Sequence, residues 1–325
     1  MKILVTGSSG FIAGHLIQAL LERGNEVTAI DKRVPSDWIV HQFLKYEDQL
    51  DICQGYLTEI VCKEGMRNIQ VVYHLASETN LEKSMGNPVQ ALEDDLTSTV
   101  QLLEACKEVS PDARFIFTSS AAVYGHTSKH KVSEEEAETA EMISTYGINK
   151  RACEFYIDLY KRIHKLSIGC VRFFNVYGPG QLNLQAVIPS FILSALKDKE
   201  LLIKGDGSHT RDFVHVSDVV EALLLMGKSN CQGILNVGTG ESHSIKDLVV
   251  YLEIELKKKL QVENISMTEW DIKHSCADVS SIEELIGWKA KKKLDEGLKD
   301  TIEFQPRSQK RPWPHLFYFL NKVIV

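Results

Sequence analysis

The sequence predicts an α/β fold built on a doubly wound parallel sheet, with a smaller α/β lobe attached. Short, continuously apolar runs alternate with longer amphipathic stretches over the first half of the chain, the pattern of a parallel sheet covered on both faces. A glycine-rich turn stands directly between the first such run and the first helical stretch. Beyond about residue 175 the regular alternation breaks down and charge-rich segments appear.

Each element has its own signal. "KILVT" (2–6) is an apolar strand, and "FIAGHLIQALLERG" carries it into a helix that stops at Gly24, a residue suited to helix termination. "EVTAID" (26–31) and "VVYHLA" (71–76) read as further strands. A helix follows over roughly 88–108, then the strand "RFIFTS" (114–119), a helix from about 145, and the strand "SIGCVRFFN" (167–175). The turn "VYGPG" closes this half. "RDFVHVSDVVEALLL" reads as one more strand and helix returning to the main sheet.

With 325 residues, 44% hydrophobic and 25% charged, the chain has the composition of a soluble globular protein large enough for two lobes. Its net charge of −7 argues against a general nucleic-acid surface, so an anionic ligand needs a local cationic pocket. Seven cysteines form no C-x-x-C pair and no His/Cys cluster at metal spacing, which points to free thiols in a reducing cytosol and to no metal site. Neither a signal peptide nor an apolar stretch of membrane length is legible, so a cytoplasmic protein without a membrane span is expected.

In "TGSSGFIAG", Gly7 makes the tight turn, Gly10 lets backbone approach a pyrophosphate, and Ala13 allows close helix–strand packing. The helix starting there aims free N–H groups at phosphate oxygens. Asp31 ends the second strand, about twenty residues further on, where a carboxylate accepts both hydroxyls of an adenosine ribose. Together these predict a Rossmann-type dinucleotide site. The carboxylate repels a 2′-phosphate and favours NAD over NADP, a preference moderated by Lys32 and Arg33 beside it.

"YGINK" places Tyr146 and Lys150 four residues apart near a helix start, hence on one face. A neighbouring ammonium stabilises a phenolate, which suits Tyr146 to act as general base on a sugar hydroxyl while Lys150 reaches a nicotinamide ribose. On its own such a pair carries little signal, since two such residues at helical spacing usually form a solvated face.

These residues together carry a resemblance. The chain resembles an extended short-chain dehydrogenase/reductase of the NAD-dependent nucleotide-sugar epimerase and dehydratase group, in pattern most like UDP-glucose and UDP-N-acetylglucosamine 4-epimerases. The matching pieces are "TGSSGFIAG", "HLAS" (74–77), "QLLEAC" (101–106), "FTSSAAVYG", "YGINK", "VRFFNVYGPGQ" (171–181), "GDGSHTRDFVHVSDV" (205–219), "NVGTG" (236–240), and "ADVSSIEELIGW" with "LDEGLKDTI". They span nearly the whole chain in the group's order.

The resemblance implies Ser120, Tyr146 and Lys150 as catalytic residues, with Ser120 bonding the reacting sugar oxygen. It implies cofactor contacts from Gly7, Ser9, Gly10, Phe11, Ile12, Asp31 and Lys32, and from Asp51 and Ile52 against the adenine. Leu75, Ala76 and Ser77 would lie beside the pyrophosphate and nicotinamide ribose, with Tyr146 and Lys150 completing the cofactor site. Asn175 would hold a substrate diphosphate and Arg211 would neutralise it. Without the motif order, Asn175 reads as a turn residue and Arg211 as the partner of Asp212. The division implied is an NAD-binding Rossmann domain over 1–174, rejoined by about 213–236, and a nucleotide-sugar-binding domain over 175–325. A homodimer through the helices near 88–108 and 145–165 is also implied.

The stretch "SSAAVYG" (119–125) selects among the group's reactions. Members that eliminate water resemble one another in placing Asp-Glu after the hydroxyl, and those that decarboxylate a uronic acid keep a glutamate in the second place. Here the two places hold Ala121 and Ala122, and a methyl group neither donates nor accepts a proton. Ser120, Tyr146, Lys150 and a nicotinamide remain. That set removes a proton and a hydride and returns both, which predicts a UDP-sugar 4-epimerase working through a transient 4-keto sugar. Other readings are a keto-sugar reductase, a UDP-glucuronate 4-epimerase, or a non-catalytic NAD- and nucleotide-sugar-binding protein. Ser275, in "DIKHSCADVS", stands where hexose-restricted epimerases resemble one another in carrying tyrosine, so it leaves room for a 2-acetamido group.

Three positions depart from the pattern. Asp95 replaces an asparagine that supports the active-site helix, and a carboxylate lacks the amide's donor. Thr268 replaces a second arginine that grips the diphosphate, a loss for which Lys273 is the nearby substitute. Ala13–Gly14 replaces the last glycine of the turn without expected consequence. The lysine runs 257–259 and 291–293 read as solvated helix faces, and the tail 305–325 as apolar residues packing on their own domain.

Overall fold

The computed structural model describes residues 1–34, 43–127, 129–268 and 271–304; the tail expectation falls outside them. Seven strands form the central sheet: β1 (Lys2–Thr6), β2 (Glu26–Asp31), β3 (Leu50–Gln54), β4 (Val71–His74), β5 (Arg114–Ser120), β6 (Ser167–Phe173) and β11 (Ile234–Val237). Their order is β3-β2-β1-β4-β5-β6-β11, and every pairing is parallel. The central strands do not alternate between buried and exposed positions. Leu4, Val5, Val72, Phe115, Phe117 and Val171 are all buried, as strands covered on both faces require.

The chain winds outward from β1 through β2 to β3, then restarts at β4 on the other side of β1. The crevice at this reversal, beyond the carboxyl ends of the strands, is where open α/β sheets bind ligands. One face of the sheet is covered by α1 (Phe11–Leu21) and α8 (Val216–Lys228), which share a core with Ile3, Val5, Ile116 and Val171. The other face is covered by α2 (Glu59–Gly65), α5 (Ser98–Val109) and α6 (Thr145–His164), around Leu4, Phe115, Phe117 and Ile168.

The helical stretch expected over 88–108 is interrupted. It comprises α4 (Pro88–Leu92), a π turn over Glu93–Thr97, and then α5. A preceding short helix, α3 (Leu81–Gly86), sits between it and β4. The Ser144 hydroxyl caps the start of α6 by accepting the Gly147 N–H at 3.1 Å, and Lys161, Arg162 and His164 lie in its last turn, where cations favour the helix dipole.

A second group of elements has its own core, built on Tyr177, Ile188, Phe191, Leu201, Phe213, Leu248, Leu252 and Leu298. It comprises β7 (Asn175–Tyr177), α7 (Val187–Leu196), β8 (Leu201–Lys204), β9 (Thr210–Arg211), β10 (Phe213–His215), β12 (His243–Ser244), α9 (Ile245–Leu256), β13 (Val262–Ile265) and α11 (Leu294–Glu303). Its strands pair two by two, β10 with β7, β12 with β9 and β13 with β8. A last short helix, α10 (Ser280–Ile286), packs against β11.

Two expectations are corrected here. The strand of "RDFVHV" does not join the main sheet; β10 pairs with β7, and only β11 returns to extend β6. The lysine runs are not helix faces. Lys257 is the left-handed cap that ends α9, Lys258 pairs with Asp198 at 2.6 Å, and Lys291 pairs with Glu221 at 2.7 Å from the segment before α11.

Candidate active site

A crevice of about 1650 Å³ opens at the reversal between β1 and β4. Gly7 turns out of β1 with φ of 70°, and a side chain there would meet the Ala76 backbone nitrogen at 2.6 Å. Glycine is needed for both reasons. Gly10 caps α1 without any side-chain hydrogen bond, leaving the first helical N–H groups for a ligand, and Ser9, Phe11 and Ile12 line the crevice beside it.

Asp31, buried at the end of β2, holds the turn in place. Its Oδ2 accepts the Ser9 N–H at 2.9 Å and its Oδ1 accepts the Arg33 N–H at 2.8 Å. A helix N-terminus without a side-chain cap, a turn that excludes a Cβ and an edge carboxylate together fit a dinucleotide's phosphates and ribose. Lys32 also lines the crevice, with Nζ 2.6 Å from Asp94 Oδ2.

Asp51 and Ile52 do not line the crevice. They pair with Thr28 and Ala29, back from the carboxyl end of β3, because the strand runs on to Gln54. Gly55, Tyr56, Leu57 and Thr58 occupy the rim instead.

Leu75, Ala76 and Ser77 line the crevice after β4, supported by a buried chain of hydrogen bonds. The Ala76 N–H donates to Thr6 Oγ1 at 3.3 Å, and Thr6 Oγ1 lies 2.6 Å from His74 Nδ1. His74 Nε2 lies 2.9 Å from Thr99 Oγ1, which donates its own proton to the Asp95 carbonyl at 2.6 Å. Since the Thr99 proton is committed, His74 carries its proton on Nε2 and accepts from Thr6 on Nδ1. Burial pushes the His74 imidazole down to about 3, and the Lys150 ammonium acts in the same direction. The π turn exposes the Asp95 carbonyl for these side-chain bonds.

The side chains expected to react meet where β5 ends. Ser120 caps the turn Ala121–Tyr124 by accepting the Ala122 N–H at 3.2 Å, which leaves the hydroxyl proton for a ligand. Gly147 admits α6 against this turn: a Cβ there would lie 2.7 Å from the Ala122 carbonyl oxygen. Tyr146, one residue earlier, therefore opens onto the same crevice as Ser120, Ala121 and Ala122. Lys150 is buried, with Nζ donating to the Thr118 carbonyl at 2.8 Å and lying 5.9 Å from the Tyr146 ring centre.

Glu154 fastens the three elements behind this cluster. Its carboxylate accepts from Ser119 Oγ at 2.6 Å and from Arg172 Nε and Nη2 at 2.8 Å each. Burial alone would raise the Glu154 carboxyl, but Arg172, Ser119 and Arg151 hold it below its ordinary value. A pair so deeply buried contributes little net stability; it fixes the relative positions of β5, β6 and α6.

At the other end of the crevice stand Asn175, Arg211 and Ser275. Arg211 does not pair with Asp212. The Asp212 carboxylate, buried between β9 and β10, is held instead by the N–H groups of Thr239, Gly240 and Ala277. Among the described residues no carboxylate lies within ion-pair distance of Arg211; it donates to the Thr210 carbonyl at 2.8 Å, and burial pushes its guanidinium down to about 10. A desolvated cation facing a crevice is a seat for an anion.

The two doubtful departures have structural answers. Asp95 needs no donor of its own: its carboxylate accepts from Ser77 Oγ at 2.6 Å, the Glu78 N–H at 2.9 Å and Asn149 Nδ2 at 3.2 Å. Thr268 caps Asp271 through its N–H and Oγ1, at 2.7 and 2.8 Å. Lys273 is exposed and does not line the crevice; the additional cation there is Lys204, 2.7 Å from Asp271 Oδ1. Reading the lip alone also missed Glu78, a crevice carboxylate on the segment after β4, bound to Lys83 at 2.8 Å. Among the described residues no cluster of three or more His, Cys, Asp or Glu could hold a metal ion, and no helix is long and apolar enough to cross a membrane.

Comparison with known proteins agrees with this geometry. A profile described as the NAD dependent epimerase/dehydratase family matches residues 3–238. The chain belongs to that family, and its cofactor is NAD. It is 29% identical over 313 residues to UDP-glucuronic acid decarboxylase 1 of Xenopus tropicalis, covering 93% of this chain and 72% of that one. The structure of UDP-N-acetylglucosamine 4-epimerase from Methanobrevibacter ruminantium M1 in complex with UDP-N-acetylmuramic acid superposes with a TM-score of 0.86 at 29% identity, covering 93% of this chain and 97% of that one. UDP-glucuronic acid 4-epimerase from Bacillus cereus, in complex with UDP-glucuronic acid and NAD, superposes with a TM-score of 0.85 at 30% identity, covering 94% and 98%.

Proposed function

We propose that this enzyme inverts the C4 centre of a UDP-linked hexose or N-acetylhexosamine through a transient 4-keto sugar. The observation that carries the reading is the lip of the crevice, where Ser120 and Tyr146 flank two alanines and no side-chain acid. Bound NAD supplies the hydride acceptor and donor. Tyr146 takes the C4 hydroxyl proton and later returns it, and Ser120 donates a hydrogen bond to the same oxygen as its charge develops. Lys150, fixed by the Thr118 carbonyl, places its ammonium beside the Tyr146 ring. Rotation of the keto sugar before the hydride returns inverts the centre.

Asn175 and Arg211 would hold the diphosphate, and Lys204 would add the charge that Thr268 lacks. Asp271 is anchored by Thr268, so Lys204 is the partner free to turn toward an arriving phosphate. Ser275 leaves space beside the sugar. The carboxylates that line the crevice come from elements other than the lip; among them Glu78 is paired with Lys83 and Asp94 with Lys32.

The test is to incubate the enzyme with a panel of UDP-sugars and follow products by NMR, with Tyr146→Phe as the control that retains NAD but loses turnover by a factor on the order of 10²–10⁴. Epimeric pairs with constant total NADH support the reading; release of carbon dioxide or water from the sugar rejects it. The same reading includes a homodimer. Ile148, Phe155, Leu159 and Ile163 expose one apolar face of α6, and Val89 and Leu92 are exposed on α4. Sedimentation should give a dimer that Ile163→Asp converts to monomer; a monomeric wild-type protein would reject it.

A further inference from the structure

Two cations and two carboxylates meet at the adenosine end of the crevice. Asp31 and Arg33 are one pair, with Arg33 Nε 3.6 Å from Asp31 Oδ1. Lys32 and Asp94 are the other, at 2.6 Å, with the Asp94 side chain only 8% exposed. Asp94 reaches Lys32 from the π turn after α4, 62 residues away in sequence, and its second oxygen accepts from Gln90 Nε2 at 3.4 Å. Tyr56, on the rim, lies under the Lys32 ammonium at 5.7 Å.

The geometry points to Asp94 as a second residue, beside Asp31, that sets this enzyme's choice between NAD and NADP. The dipeptide Lys32–Arg33 following Asp31 is by itself a suitable seat for a 2′-phosphate, because a dianion binds where cations lack partners. Asp94 cancels that seat. With Lys32 neutralised, the four side chains sum to zero, and the ribose edge presents the Asp31 carboxylate to two hydroxyls. A 2′-phosphate would have to draw Lys32 away and leave a nearly buried Asp94 carboxylate unpaired, which is costly. Selectivity therefore depends on a segment outside the β2 turn as well as on Asp31.

The test uses full-length enzyme equilibrated with equal NAD and NADP, followed by release and chromatographic counting of the bound nucleotides. Asp94→Asn frees Lys32 and should raise the NADP-to-NAD ratio tenfold or more. Adding Lys32→Gln to that variant should return the ratio to near the wild-type value. A ratio within twofold of wild type in Asp94→Asn overturns the proposal, as does a double variant that keeps the gain. Asp94→Ser serves the same purpose should the amide variant misfold. Occupancy needs no turnover, so this outcome is separate from the fate of the sugar.

Discussion

The side-chain amide of Asn149 donates to the carboxylate of Asp95 across 3.2 Å, joining the Tyr146–Lys150 segment, just before Lys150, to the π turn. A carboxylate that lacks a donor has met an amide that supplies one. Asn149→Ala should leave one Asp95 oxygen buried without its partner, at a cost of roughly 1–3 kcal/mol. A fall in Tm with reduced kcat is expected. Asp95→Asn in that background should recover part of the stability, since a neutral amide tolerates the vacancy better than a charge does. A thermal double-mutant cycle with no coupling between the two sites would remove the pair from any positioning role.

Lys204→Gln is expected to raise KM for the UDP-sugar about tenfold with kcat nearly unchanged, since a phosphate cation distant from C4 contributes equally to ground and transition states. Steady-state kinetics check this. An unchanged KM would leave Arg211 as the sole diphosphate cation from this part of the crevice.

Ser275→Tyr narrows the crevice and, under the proposed function, should exclude acetamido substrates selectively, by a factor of about ten or more in kcat/KM, while plain hexoses are retained. Competition between the two substrate types measures it. Equal losses for both would place Ser275 away from the 2-substituent.

Two buried histidines predict a pH window for stability. His74 is held neutral down to about 3 and His215, by burial and the nearby Lys292, down to about 4. The unfolded chain protonates both near 6.5, so between these values it binds more protons than the folded protein. Their stabilising contribution is complete above 6.5 and is lost as pH falls through that window. At pH 5 the loss is at most about 2 kcal/mol per histidine. Urea midpoints at pH 7.5 and pH 5 should show it, and His74→Gln should flatten the slope.

The fold was legible where local chemistry dominates. Gly7 and Asp31 announce the turn and the edge carboxylate because a strand–turn–helix motif ties a positive φ and a strand-end acid to set places in the sequence. Asp51 and Ile52 were misplaced because strand register fixes which residue reaches the rim, and register is set by β2 across the sheet. Asp94, Asn149, Glu78 and Lys204 were not singled out for a comparable reason. Asp94, Asn149 and Lys204 act through partners brought to them by tertiary structure, 62 residues away in Lys32 for Asp94 and 67 in Asp271 for Lys204. Glu78 pairs locally with Lys83 and reaches the crevice only through the fold. Spacing along the chain carries no trace of such meetings.

The seventh strand comes from beyond residue 230, after the chain has already passed through the smaller core. Until β11 docks, the outer edge of β6 carries unpaired backbone groups along Cys170–Phe173, flanked by apolar side chains. Such an edge is a template for pairing with other chains. A fragment ending at residue 174 is therefore expected to self-associate, which light scattering would register. During synthesis the nascent chain must shield that edge until Ile234–Val237 has emerged.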